Sequence, residues 1–102
     1  MVYKLRFVQK FKKANQALFL QIEKKFIELE KTEPGFPSGK RFLPVTGKEA
    51  SNTLIWEAEF SSMEDVVSAL HIIEDNTQHD ELLAEQIEYM SDTYSEIYKQ
   101  FQ

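Results

Sequence analysis

The sequence predicts an α+β domain in which helices cover one face of a four-stranded antiparallel sheet. Three observations support this prediction. Residues 53–60, TLIWEAEF, alternate apolar and polar side chains with the period of two that a strand shows. The segments before and after this stretch carry apolar residues at helical spacing. The first and third predicted strands carry charges of opposite sign, which favours pairing between them.

Length and composition restrict what the chain can be. With 102 residues it is expected to form a single domain, residues 1–102, which would gain from pairing with a second copy because a small domain buries a modest share of its surface. The net charge of −5 argues against nucleic-acid binding. The lack of cysteine excludes disulfides, thiolate metal sites and cysteine nucleophiles. No apolar run approaches the roughly 20 residues of a membrane span, and the N-terminus mixes charges into its apolar pattern, unlike a signal peptide. We therefore expect a cytoplasmic protein that binds neither nucleic acid nor membrane.

Residues Val2–Gln9 are predicted to form the first strand. One face carries apolar side chains and the other is cationic, with Lys4 and Arg6. In an antiparallel pair with the strand at 53–60, these cations can lie opposite Glu57 and Glu59, and each such pair contributes about 0.2–1 kcal/mol. The charges therefore indicate that these two strands are neighbours.

The first helix is predicted from Ala14 to Lys31, with Asn15 as a candidate cap, and it ends before Pro34 and Gly35. Its predicted core stripe consists of Leu18, Phe19, Ile22, Phe26 and Leu29. A solvated face is predicted at Glu23, Lys24 and Lys25. Two further apolar residues, Leu20 and Ile27, lie on roughly the opposite side and are either scattered exposed residues or a second contact surface.

The next strand is predicted at residues 40–46. Because Pro44 lacks a backbone donor, this strand is expected at the sheet edge or with a bulge. Residues 47–52 form the connecting loop. In the strand 53–60, the side chains predicted to face the core are Leu54, Trp56, Ala58 and Phe60, and Ser61 with Glu64 matches a capping box for the following helix.

Two helices and a strand complete the predicted order. The second helix has the apolar stripe Met63, Val66, Val67, Leu70 and Ile73 and breaks at residues 74–77, where Thr77 is expected to cap a short third helix that contains Leu82, Leu83, Ala84, Ile87 and Met90. Ser91 and Asp92 are expected to end that helix. Residues 93–101 are predicted to be the last strand, and the alternative is a helix that continues to the end of the chain.

The resulting order, β-α-β-β-α-(α)-β, is the ferredoxin-like arrangement. Three segments make the chain resemble the dimeric α/β-barrel superfamily, in particular antibiotic-biosynthesis-monooxygenase-like and NIPSNAP-like domains. They are Pro34-Gly35-Phe36 after the first helix, the strand LIWEAEF running into SMED at residues 54–65, and DNTQHDELL at residues 75–83.

The resemblance implies a homodimer whose two sheets pack face to face into a barrel, with a cleft in each subunit between sheet and helices. The superfamily contains cofactor-free oxygenases, haem-degrading enzymes and isomerase-like enzymes, and fold alone does not choose among them. Haem-degrading members use an asparagine on the first strand and a tryptophan on the second helix. This chain offers Phe7 and Gln9, and Ala69 and Leu70, at those places. No cofactor is therefore predicted.

His79 is the candidate catalytic residue, at the place that the resemblance matches to a late-helix histidine. In the first turn of a helix, the dipole disfavours the charged imidazole, so a neutral histidine could act as a base. The alternative is an exposed histidine without a role. His71 is interpreted as a boundary residue, and its spacing from His79 does not fit a metal site, so no metal is predicted.

Five aromatic residues are predicted to line the cleft or else to form the core: Tyr3, Phe7, Trp56, Tyr94 and Tyr98. The charged residues Lys4, Arg6, Glu57 and Glu59 are predicted to form a structural ladder on the sheet face that the partner subunit covers.

Three functional hypotheses follow. The first is a homodimer that binds a small apolar or aromatic molecule in the cleft, without proven catalysis. The second is a cofactor-independent oxygenase or isomerase acting on an aromatic or polyketide-like substrate, with His79 as base. The third is a structural or interaction module whose cleft is filled by its own side chains.

Overall fold

The protein is described by a computed structural model that covers residues 1–102. Four strands and three helices follow one another in the predicted order. The strands are β1 (Tyr3–Phe11), β2 (Lys40–Phe42), β3 (Thr53–Phe60) and β4 (Met90–Lys99). The helices are α1 (Gln16–Thr32), α2 (Met63–Asp75) and α3 (Thr77–Gln86), and short 3-10 turns precede α1 and follow α3. None of the helices combines the length and apolarity needed to cross a membrane.

The four strands form one antiparallel sheet in the order β2-β3-β1-β4. In the pairing of β1 with β3, Lys4 lies opposite Glu59 and Arg6 lies opposite Glu57. The prediction that these strands are neighbours is therefore confirmed, and so is the α+β, ferredoxin-like arrangement.

All three helices pack on the same face of the sheet. This face carries Leu5, Trp56 and Ala58, which form one buried cluster with Val66 of α2. A second cluster joins Phe11 of β1 with Phe19, Leu54 and Met90, and a third joins the helices to one another around Phe26, Phe36 and Leu82. Because the protein is only 18 Å thick in its shortest dimension, it has two layers, and the opposite face of the sheet is open.

The first helix begins two residues later than predicted. Asn15 occupies the N-cap position of α1, but its side chain accepts no capping hydrogen bond. Four of the five predicted core residues are buried, whereas Leu18 is 45% exposed. Glu23 was predicted to be solvated and is instead buried, 6% exposed, because it turns towards the cleft described below.

Two helix caps were predicted one residue too late or too early. Ser62, not Ser61, caps α2: its side chain accepts a hydrogen bond of 3.1 Å from the Asp65 N–H. Asn76, not Thr77, caps α3 by accepting a 2.8 Å bond from the His79 N–H. In both places neighbouring polar residues have similar capping preferences, so the backbone geometry made the choice.

The stripe of α2 is shifted from the predicted one. Met63 and Val67 are 40% and 45% exposed, whereas Ala69 joins Val66 and Ile73 in the core. The buried face of α2 therefore runs through Val66, Ala69 and Ile73, and Val67 faces solvent.

The edge strands also differ from prediction in their bounds. β2 lies at the sheet edge, as predicted, but it comprises only Lys40–Phe42, so that Pro44 falls in the following loop. β4 begins at Met90, which was assigned to the third helix, and Ser91 and Asp92 lie inside it. The alternative of a helix to the end of the chain is wrong.

Candidate functional site

A cleft lies between the helix-facing side of the sheet and the helices. Its volume is about 60 Å³, and its apolar wall is formed by Phe7, Phe26, Phe36, Trp56, Ile73 and Leu83. The rings of Phe7 and Trp56 are 5.2 Å apart between centroids and form the floor on the sheet. The remaining lining residues are polar: Gln9, Glu23, Glu30, Arg41 and His79.

The polar wall is organised around Arg41 of β2. Its Nε donates to Glu23 at 2.5 Å, and both terminal nitrogens of the guanidinium donate to Glu30. The side chains of Arg41, Glu23 and Glu30 are 13%, 8% and 7% exposed, so the three charges form a buried cluster. Burial by itself lowers the pKa of Arg41, but hydrogen bonds and attraction from the two carboxylates outweigh it, and the pKa is raised.

Other groups complete the hydrogen bonding of the two carboxylates. Gln86 of α3, which is fully buried, donates to Glu23 at 2.8 Å. Glu30 accepts from the Gly39 N–H at 3.0 Å and from the Trp56 indole at 3.4 Å. The charged cluster therefore connects α1, β2, β3 and α3, and it holds the indole in the cleft floor.

Gly39 is required for this arrangement. A β-carbon at this position would lie 2.2 Å from the Trp56 indole, far inside van der Waals contact. The bare backbone lets the segment before β2 pass close to the indole while its N–H reaches Glu30.

His79 lies in the cleft wall at the start of α3. Its ring is 5.1 Å from the ring of Phe26 and 6.1 Å from that of Phe36, measured between centroids, and its side chain is 19% exposed. The Nδ1 atom is buried and has no hydrogen-bond partner. Burial lowers the pKa of His79, and the nearby carboxylates Asp80, Glu30 and Glu23 offset this only in part. A neutral imidazole with an unused nitrogen can accept or donate one hydrogen bond.

The structure divides the aromatic residues that were expected to line the cleft. It brings Phe7 and Trp56 together with His79. Tyr3 lies on the same face of the sheet but packs against the cluster of Leu5 and Trp56 instead of lining the cleft. Tyr94 and Tyr98 are paired with Val8 and Lys4, which places them on the open face.

Three site residues, Glu23, Glu30 and Arg41, were missed by the sequence reasoning. A signal for two of them was present: Glu23 and Glu30 are seven residues apart and follow Phe19 and Phe26 by four residues each. They therefore lie on the apolar stripe of α1, where an unpaired carboxylate would be costly. Carboxylates on the apolar side of a helix indicate that a cation is buried next to them, although the sequence does not identify the residue that supplies it.

The open face carries the predicted charged ladder. The Nε of Arg6 donates a hydrogen bond of 2.8 Å to Glu57. The Nζ of Lys4 lies 3.5 Å from the other carboxylate oxygen of Glu57. The guanidinium of Arg6 lies 5.1 Å above the ring of Tyr98. Glu59, in contrast, is exposed.

A loop covers one end of the open face. Within residues 43–52, Glu49 accepts a short hydrogen bond from the Tyr94 hydroxyl, and this bond raises the pKa of Tyr94 to about 12. A similar bond to Glu96 raises the pKa of Tyr98. Val8, although it belongs to this face, is 2% exposed because the loop shields it.

Comparisons with known proteins identify the fold. No protein-family model matches the chain, and no curated protein matches its sequence. Among solved structures, a NIPSNAP family protein from Agrobacterium tumefaciens superposes with a TM-score of 0.77 at 10% identity, covering 99% of this chain and 89% of that one. An antibiotic biosynthesis monooxygenase superposes with a TM-score of 0.74 at 13% identity, covering 98% and 99%. This chain has the fold of these proteins.

A third structure, an uncharacterised NIPSNAP-like domain protein from Burkholderia xenovorans, gives a TM-score of 0.76 at 14% identity and covers 98% of this chain and 85% of that one. The resemblance stated from the sequence is thereby confirmed for the fold. At identities this low, the likeness does not extend to activity.

Proposed function

We propose that this protein is a homodimer in which each subunit binds a small apolar or aromatic molecule in its cleft. The observation that carries the proposal is the composition of the cleft. An apolar wall around Phe7 and Trp56 faces a polar wall that includes His79, whose Nδ1 has no partner. An apolar pocket with a few convergent polar groups is the usual form of a small-molecule site.

The cleft volume restricts the ligand. At about 60 Å³, the cleft holds on the order of four water-sized groups. An aromatic ring needs more space, since an engineered cavity that binds benzene in another protein has a volume of roughly 150 Å³. Leu83 and His79 are only partly buried and both belong to α3, so we expect α3 to move outward when a ring enters.

The dimer is supported by the open sheet face. The accessible surface of the chain is 6730 Å², whereas a monomer of this mass exposes roughly 6,000 Å². This extra accessible surface is comparable with the roughly 800 Å² that each partner buries in a standard protein–protein interface. The face also presents exposed Phe42, Tyr94 and Tyr98 beside a ladder of both charge signs, which a second copy can match by two-fold symmetry.

The dimer is tested by sedimentation velocity at micromolar concentration. We expect a dimer for the natural chain and a monomer for Arg6→Glu, which places a third negative charge beside Glu57 and Glu96. Lys31→Glu on the exposed side of α1 is the matched control and is expected to stay dimeric. A monomeric natural chain would refute this part of the proposal.

Binding is tested through Trp56, because it is the single tryptophan and lies in the cleft floor. Titration with benzyl alcohol is expected to change its fluorescence in a saturable way. Leu83→Phe adds volume to the cleft and is expected to weaken the response, whereas Ile87→Phe, at a 54% exposed position, is expected to leave it unchanged. An unsaturable response, or an equal one in both variants, would contradict cleft binding.

A second function, a cofactor-independent oxygenase or isomerase, is favoured by one observation. His79 is neutral near pH 7, since burial lowers its pKa, and its imidazole lines the cleft. Such an imidazole can take a proton from a quinol hydroxyl. Oxygen uptake with quinol substrates should then be lost in His79→Ala and kept in the exposed control His71→Ala. Ligand binding without oxygen uptake would support small-molecule binding alone. Absence of both binding and oxygen uptake would favour a structural or interaction module.

A further inference from the structure

The cleft carries a formal negative charge. Among the residues that line it, Arg41 is the one cation, and Glu23 and Glu30 are two carboxylates. The remaining polar lining residues, Gln9 and His79, add no charge in their neutral forms. The formal charge of the wall is therefore one positive and two negative, which gives −1.

The positive charge in this wall, that of Arg41, is already paired with two carboxylates. Arg41 uses Nε on Glu23 and both terminal nitrogens on Glu30. These bonds use three of its five N–H groups. A ligand carboxylate that bound the other two would place a third carboxylate around a single guanidinium charge, next to Glu23 and Glu30. The single positive charge of Arg41 is therefore already outweighed by two carboxylates and does not attract a further anion.

The carboxylate oxygens in the cleft remain available as hydrogen-bond acceptors. Each oxygen of Glu23 receives a single donor, from Gln86 or Arg41, and so keeps acceptor capacity. The side chains of His79 and Gln9 also line the cleft, and in its neutral form each can accept a hydrogen bond. A ligand with an N–H or O–H group can donate to these acceptors, whereas an anionic ligand would be repelled by Glu23 and Glu30.

We infer that the cleft excludes anions and selects a small uncharged or cationic molecule that carries a hydrogen-bond donor. This inference rests on the proposed function, because it concerns the ligand of the same cleft. It adds the charge class of the ligand and assigns Glu23, Glu30 and Arg41 as the residues that determine specificity. The two carboxylates repel an anion, and their hold on the guanidinium removes the only compensating charge.

The test uses three ligands of equal size and shape but different charge: benzamidine, benzamide and benzoate. Their dissociation constants are measured by Trp56 fluorescence. At a largely buried site, one unbalanced charge changes an equilibrium constant by about tenfold or more. We therefore expect benzamidine and benzamide to bind at least about tenfold more tightly than benzoate.

Two variants show which charges are responsible. Glu23→Gln removes one negative charge but keeps an oxygen for Arg41, and it is expected to narrow the ratio between benzamide and benzoate. Glu28→Gln, on the same helix with its side chain 69% exposed, is the matched control and should leave the ratio unchanged. Urea unfolding of both variants verifies that they are folded.

The outcomes separate this inference from the proposed function. If benzoate binds as tightly as benzamide, charge selection is refuted while binding in the cleft stands. If the ratio is the same in Glu23→Gln as in the natural chain, the assignment of the carboxylates is refuted. If none of the three ligands changes the Trp56 signal, the proposed binding function fails, and this inference fails with it.

Discussion

Replacing Arg41 with methionine is expected to destabilise the protein more than any surface charge change. Methionine keeps much of the length of the side chain but removes the guanidinium that binds Glu23 and Glu30. Both carboxylates are less than a tenth exposed, so solvent cannot replace the lost donors. They would be left buried and without a counter-ion.

The expected loss can be given as an order of magnitude. Removing one partner of a buried ion pair costs about 3–5 kcal/mol. Because small domains unfold with a free energy of about 5–15 kcal/mol, the variant should lose about a fifth or more of its stability. The loss should become smaller as the pH is lowered, since protonation neutralises the stranded carboxylates.

The assay is urea unfolding followed by circular dichroism at one fixed protein concentration, because dimerisation couples stability to concentration. Lys31→Met is the control: it removes a cation that lies 3.9 Å from Glu28 on the surface, where a pair contributes about 0–1 kcal/mol. A double-mutant cycle with Glu30→Gln should show a smaller loss for Arg41→Met in the Gln background. A loss equal to that of Lys31→Met would refute the reasoning.

Three further predictions concern single residues. By NMR titration, His79 should take up its proton at lower pH than a histidine in an unfolded peptide, and because the unfolded chain binds that proton more readily, stability should fall as the pH drops below about 6.5. Ser62→Ala should cost about 1 kcal/mol through loss of the α2 cap, whereas Ser61→Ala should cost less. Gly39→Ala should destabilise by about 1–3 kcal/mol, because its methyl group overlaps the indole, and should shift the tryptophan emission.

Each of these predictions has a result that would contradict it. A titration midpoint for His79 equal to that of a histidine in an unfolded peptide would place its imidazole in solvent. Equal costs for the two serine variants would remove the assigned cap of α2. For the glycine, the adjacent and exposed Ser38→Ala is the control, and an alanine at position 39 without effect on stability or emission would mean that the backbone relaxes freely there.

Much of the fold could be predicted because it depends on local patterns. The alternation in residues 53–60 and the apolar spacing of Phe19, Ile22 and Phe26 specify a strand and a helix through side-chain geometry alone. The opposite charges of Arg6 and Glu57 also gave the strand pairing. The position of the α2 cap was predicted one residue too early, since Ser61 and Ser62 have the same chemical preference and only the backbone angles distinguish them.

The site was predicted only in part. His79, Phe7 and Trp56 were expected in the cleft and line it, but Tyr94 and Tyr98 lie on the other side of the sheet. Strand β4 is an edge strand, and nearly all of its residues are exposed or half-buried. Its polar and apolar residues therefore give no clear indication of which face meets the helices.

By itself, the sequence determined the approximate position of most strands and helices and the pairing of the central strands, because those follow from periodicity and from charges on regular elements. The tertiary structure alone decided which side chains share the cleft. Glu23, Glu30 and Arg41 meet there because β2 lies next to β3 with Arg41 opposite Trp56, on the face that α1 covers. The contact between these three side chains depends on the register of β2, an edge strand of three residues. The register of a strand is set by packing between segments that are distant in the sequence.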